Sequence, residues 1–286
     1  MDLFRSEQTP ENGIGEHDSV RRVLLVVAVI AAAGVGVYSH LPKLSEAQRA
    51  FFNARYETAA ALTLELRALD PEDLAVIELR TSALLFQLKE VLPERGDKEK
   101  AFKQCVMCPE LLTAFLSETT RGQIVARARL KSMPGDEATL FFLGKLDLNY
   151  VWLQLGPLGR KTGWDEYWEA RHSLDAVLAR NPTHVRARVA RAWVDYVVDT
   201  KMPWGTRWVL GGGSKKRALI AMQAAAATAE SEFFVHAEAR FALWDLHVRE
   251  RNLPAAITIA RDLAREFPEN NELAKFLTKH DADSRP

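Results

Sequence analysis

The chain has 286 residues, of which 48% are hydrophobic and 27% charged, and 38 basic side chains are balanced by 38 acidic ones. That much apolar surface offsets chain entropy and excludes a wholly disordered state, while 15 Gly and 12 Pro exclude collagen-like and low-complexity classes. A zero formal balance argues against a protein that coats nucleic acid or acidic membranes, and two cysteines cannot staple a fold of this size, so the core must hold by packing.

Residues 1–22 read as a polar tail. Val23 to Tyr38 is then an unbroken run of apolar and small residues, preceded by Arg21 and Arg22. At 1.5 Å per residue the run spans about 24 Å, and extension to Leu41 gives about 28 Å, close to the hydrocarbon thickness of a bilayer. A first helix with no polar face cannot sit on a surface, so 23–41 is expected to be a transmembrane helix. A cleaved signal peptide is the rival reading; the long n-region and the ending Val37-Tyr38-Ser39-His40, without a small-x-small site, argue against it. Nearby Arg and Lys are evenly divided between the two sides, and the Arg21-Arg22 pair tips the expectation to a cytoplasmic N-terminus with the body on the periplasmic side. Ala32 and Gly36 offer a small-residue face for helix pairing, hence for a homo-oligomer.

Beyond Pro42 the pattern is helical, with 3.6-residue periodicity broken by Pro and Gly. Residues 43–133 read as N-terminal helical hairpins. Ser45-Glu46-Ala47-Gln48 reads as a capping-box start of a helix running to Asp70-Pro71, after which Glu72 opens a second that Pro93 stops. A charged link from Glu94 to Lys100 and a short amphipathic piece come next. Pro109 then opens a helix reaching about Met133.

From 134 to 280 the organisation is periodic. Helices are expected near Asp136, Thr183 and Glu232, each followed by a second near Gly163, Ser214 and Pro254, with a closing helix from Asn270 to Lys279 and a frayed tail at 281–286. Spacings of 47 and 49 residues between first helices belong to solenoids of helical pairs. The second helices carry Ala170, Leu174, Val177 and Pro182 at one place, and Ala256, Ala260, Leu263 and Pro268 at another; Ala59, Leu66 and Pro71 match in part. In these positions the chain resembles the tetratricopeptide repeat. The resemblance implies an all-α solenoid that offers a surface to protein partners. Its units exceed the family's length because 156–162 and 200–213 are inserted between paired helices, and the small residue expected in a first helix is Ala192 in one unit but Trp244 in another.

Several residues are candidates for chemistry. Cys105 and Cys108, spaced as Cys-x-x-Cys before Pro109, can form a disulfide, half a zinc site or a redox pair, or remain buried thiols; no second ligand pair supports zinc, and a thioredoxin-like setting is missing. Gly211-Gly212-Gly213-Ser214-Lys215-Lys216-Arg217 is not a phosphate-binding Walker loop, since no Gly-Lys pair occurs in it. It reads either as a loop with Ser214 as N-cap or as an anion clamp with Arg207, because cations in a first turn oppose the helix dipole. All seven tryptophans lie between Trp152 and Trp244. Trp168, Trp193 and Trp244 fit core positions, whereas Trp204 and Trp208 lie in an insertion and are either binding features or plugs. Arg186, Arg188, Arg191, Arg171 and Arg240 can make solvated or internal ion pairs with Asp165, Glu169 or Glu238, or receive a partner's carboxylates.

No nucleophile–base pair, cofactor motif or metal constellation is legible, so no enzyme activity and no cofactor are expected. The expectation is a membrane-tethered adaptor that recognises protein partners through Trp204, Arg207, Trp208, Lys215, Lys216 and Arg186. A small-molecule or lipid-binding component of an envelope transport system is the alternative, favoured if the Trp-rich half encloses an apolar pocket.

Overall fold

The computed structural model describes residues 42–93, 96–228 and 232–280. The expected span at 23–41 and both tails lie outside these residues. Among the described residues every regular element is helix, and no helix is long and apolar enough to cross a membrane. The chain divides into two units, Met1–Lys43 and Leu44–Pro286, and the helical body is the second.

Helix α1 (42–52) is already under way before Ser45, which therefore lies inside the helix rather than capping it. The single helix expected from Ser45 to Asp70 is two helices, because Ala54 takes a left-handed φ of 57° and breaks it before α2 (Tyr56–Leu69). Helix α3 (Leu74–Val91) starts two residues later than Glu72; Asp73 is its N-cap and accepts from the amides of Ala75 and Val76. After α4 (Lys98–Gln104) comes α5 (Cys108–Ser132), with Pro109 in its first turn.

Three helical pairs come next, at the expected places. Helix α6 (Glu137–Leu155) is capped by Asp136 and packs on α7 (Trp164–Arg180). Helix α8 (Val185–Lys201) is capped by His184 and packs on α10 (Lys215–Ala226), which Ser214 caps. Helix α11 (Phe233–Arg249) packs on α12 (Leu253–Glu266), and α13 (Asn271–His280) covers α12. The 200–213 insertion holds a short α9 (Trp204–Val209), for which no helix was expected.

Small residues make the close contacts between paired helices. Ala170, Leu174 and Val177 are fully buried, as are Ala256, Ala260 and Leu263. Gly144 has Leu174 and the Ala170 carbonyl within 3.3 Å of where a Cβ would stand. Each pair also packs on the next through α3 with α6, α7 with α8, and α8 with α11. The last helices return to the first. Phe52 of α1 lies with its ring centroid 5.4 to 5.9 Å from those of Phe234, Phe241 and Phe267. Alongside, Asn270 donates to the Phe52 carbonyl at 2.7 Å and Arg55 pairs with Glu269 at 3.0 Å.

Candidate functional site

At the C-terminal end of α8 the chain leaves through Met202-Pro203 into α9 and re-enters at α10. Asp199 fastens both sides of this excursion: one carboxylate oxygen accepts from Arg207 at 2.7 Å and the other from the Lys215 amide at 2.8 Å. Arg171 of α7 fastens the middle, donating to the carbonyls of Leu210 at 2.7 Å and Gly211 at 2.9 Å, and the Tyr167 hydroxyl donates to Leu210 as well. The glycine run is thus a backbone requirement. Gly211 and Gly212 have φ of 76° and 73°, and a Cβ on Gly211 would stand 2.8 Å from the Arg171 guanidinium.

What this scaffold holds outward is apolar. Trp204 and Trp208 stand one helical turn apart on α9 and are 87% and 85% exposed, and Val209 beside them is 61% exposed. A plug would be buried, so neither tryptophan is a plug. Trp168, Trp193 and Trp244, by contrast, are partly buried against core clusters.

The two insertions meet. Thr162, Gly163 and the half-exposed Trp164 line the same narrow apolar slot as Met202 and Leu210, which flank α9 in the chain, and Trp152 of α6. The slot has a volume of about 10 Å³, room for one water molecule. Around this end Arg160, Lys161, Lys201, Lys216 and Arg217 are exposed and carry no ion pair among the described residues. Lys215 is different. It pairs with Glu250 at 2.8 Å, a hydrogen bond that raises the ammonium's pKa and lowers that of the carboxyl. Glu250 also accepts from Tyr196, whose hydroxyl burial and this contact push up to about 12. Of the α10 first-turn cations Lys215 is thus compensated by Glu250, and Asp199 holds both Arg207 and the Lys215 amide, which removes the electrostatic reason for an anion clamp at Lys215 and Arg207.

Arg186 is not part of this site. It lies at the opposite end of α8, fifteen residues or about 22 Å along the helix from Lys201. Its guanidinium bonds Glu238 of α11 and, at 2.9 Å, Glu78 of α3, while Lys145 of α6 pairs with Glu238 at 3.1 Å. Four helices thus meet at two cations and two carboxylates. Burial works to raise the Glu238 pKa, but Arg186 and Lys145 outweigh it and hold the carboxyl at about 2. Of the other arginines, Arg191 pairs with Asp175 and Asp195, both at 2.8 Å, Arg171 with Asp175 at 3.9 Å and Arg240 with Glu266, whereas Arg188 donates to the Pro182 carbonyl and has no ion pair among the described residues. Sequence reasoning offered Glu238 as an internal partner but missed Glu78, Lys145 and the buried Asp147, although Lys145 and Asp147 are the two charges in the run Leu140 to Leu155.

Cys105 and Cys108 are joined in a disulfide between α4 and α5. Compared with family models, curated proteins and solved structures, the chain matches none.

Proposed function

We propose that this chain is a membrane-tethered helical-repeat adaptor, of tetratricopeptide-like construction, that holds an acidic segment of a partner protein in an envelope complex. The observation that carries the reading is the pair Trp204 and Trp208, fastened on a braced insertion and almost wholly exposed. Exposed tryptophans lose their unfavourable hydration only against a partner, and they are the residue type that anchors interfaces. In the segments that adjoin the slot and the insertion, Arg160, Lys161, Lys201, Lys216 and Arg217 are exposed and have no ion pair among the described residues, and that charge favours an acidic segment as the complementary occupant. The paired helices at intervals of 47 and 49 residues support the repeat assignment, and the run from Val23 to Tyr38 supports the tether. The Arg21-Arg22 pair orients the body to the periplasmic side.

A ligand-carrying component would need an enclosed apolar pocket of several hundred Å³. The slot between the insertions is apolar and flanked by Trp152 and Trp164, but its 10 Å³ holds no organic ligand. The adaptor reading is therefore preferred.

The test is photo-crosslinking from position 208 of the full-length membrane-embedded protein, with pull-down of the native chain against Trp204→Ala/Lys216→Glu. Lys216 is the better partner substitution because Lys215 already holds Glu250. Capture of a defined protein through an acidic segment is expected, at least tenfold weaker in the variant. Both positions are exposed, so stability should change by no more than about 0.5 kcal/mol. Equal capture by a variant of unchanged stability would refute the site and move the search to the hairpin at 45–92.

A further inference from the structure

We propose that the Cys105–Cys108 disulfide is a thiol–disulfide exchange site whose co-reactant is a protein dithiol. A bridge closing only two intervening residues constrains the unfolded chain little, because that stabilisation shrinks with loop length. Stapling the fold is therefore a poor account of it. Three features account better for exchange. The sulfurs are unequal: Cys105 is partly exposed, while Cys108 is fully buried in the core beside Phe115 and Leu88. Attack is thereby directed at one sulfur. Cys108 is also the first residue of α5, a helix of 25 residues, so the leaving sulfur receives its electron pair next to the unpaired amides of a helix N-terminus. Glu110, exposed in the same turn, opposes this only weakly through solvent, and the nearby Lys103 is engaged with Glu99. Finally, the residues between the cysteines are apolar and thrust outward: Val106 is 97% exposed and Met107 53%. They lie where an attacking polypeptide must approach, and they are the contact such a partner can use.

A thiolate of the dithiol attacks Cys105 Sγ; the Sγ–Sγ bond breaks, and its electron pair stays on Cys108 Sγ, which takes up a proton. The second thiol of the dithiol loses its proton and attacks its own sulfur in the mixed disulfide, releasing Cys105 as a thiol. Two electrons and two protons pass from the dithiol to the cysteine pair. The reverse sequence oxidises a dithiol. The all-helical surroundings are no obstacle, since exchange depends on access, on which sulfur leaves and on the thiol's local field rather than on a sheet.

The full-length protein in detergent, treated under native conditions with a thioredoxin-type dithiol protein, should open this disulfide within minutes while its helical circular dichroism is kept. A form of that dithiol protein lacking its second cysteine should be trapped on Cys105, not on Cys108. Among single variants, Cys108→Ser should react with an aromatic disulfide reagent at least tenfold faster than Cys105→Ser. Val106→Asp should slow reduction by the protein dithiol severalfold and leave reduction by dithiothreitol unchanged, which separates partner docking from mere access. A bridge that opens only in denaturant, a trap on Cys108, equal reactivity of the two variants, or a Val106→Asp effect that is absent or identical for both reductants would each overturn the proposal.

Discussion

Asp147 stands mid-helix in α6 with its side chain fully buried. One oxygen accepts from Gln123 at 2.7 Å, the other has no hydrogen-bond partner, and the nearest cation, Arg127, is 4.0 Å away and committed to Glu169. Burial first, and the Glu169 charge second, push the carboxyl up to about 8. In the unfolded chain an aspartate titrates at about 3.9. Between those values the native state binds one more proton than the unfolded state, so this group's contribution to stability falls as pH rises through that window. Asp147→Asn, neutral and of the same shape, should therefore raise the melting temperature relative to the native chain, by an amount that grows from pH 5 to pH 9. A gap that stays constant across that range would show that Asp147 is ionised throughout. Arg186 was legible in part: pairing with Glu238, 52 residues away, was one of its readings, whereas nothing in the sequence pointed to Glu78, 108 residues away. The place of Trp204 and Trp208 in an insertion beside Pro203 and Gly205 left exposure and plugging equally open, because an insertion can fold either onto the body or away from it.

At the scale of helices, Asp136 and Ser214 marked their starts, with side chains that accept from the amides of Thr139 and Arg217, whereas Ser45 carried the same signal inside a helix. The break at Ala54 carried no such mark, because a left-handed alanine without Gly or Pro leaves no signal in composition. Helix α9 was missed because its six residues include Gly205 and are too few to show a period. Gly213 shows how tightly the insertion is tied down: a Cβ there would stand 2.5 Å from the Asp195 carbonyl oxygen and 2.8 Å from the Asp199 amide. Backbone cannot yield as a flexible side chain does. Gly213→Ala is expected to cost roughly 1 to 3 kcal/mol in denaturant unfolding. Gly205→Ala, with open space around it, should be neutral or slightly stabilising. Equal effects of the two would mean that the α8–α10 contact is not set by the glycine.

The return of the last helices to the first lay beyond any reading of local pattern, since Phe52 and Phe267 are 215 residues apart and each alone is an ordinary apolar position. The contact has a consequence for the unit 44–286. Phe52 touches Phe234, Phe241 and Phe267, and Asn53 accepts from the Glu269 amide at 3.2 Å, so the first helix covers apolar surface that the last pair would otherwise expose. A chain beginning at Lys43 keeps these contacts and has its own core, so it should be soluble, strongly helical by circular dichroism and cooperative in a single melt. In that chain Phe52→Ala removes a partly buried ring. The loss is expected near the lower end for aromatic truncations, about 2 to 3 kcal/mol, and accompanied by early exposure of the α11–α12 pair to hydrogen exchange. Were the shortened chain to aggregate or show mainly strand, neither the span at 23–41 nor the helical body would stand as described. Were Phe52→Ala to leave exchange in α11 and α12 unchanged, the closure would be a contact without energetic weight, and the helical pairs would be stable each on its neighbour alone.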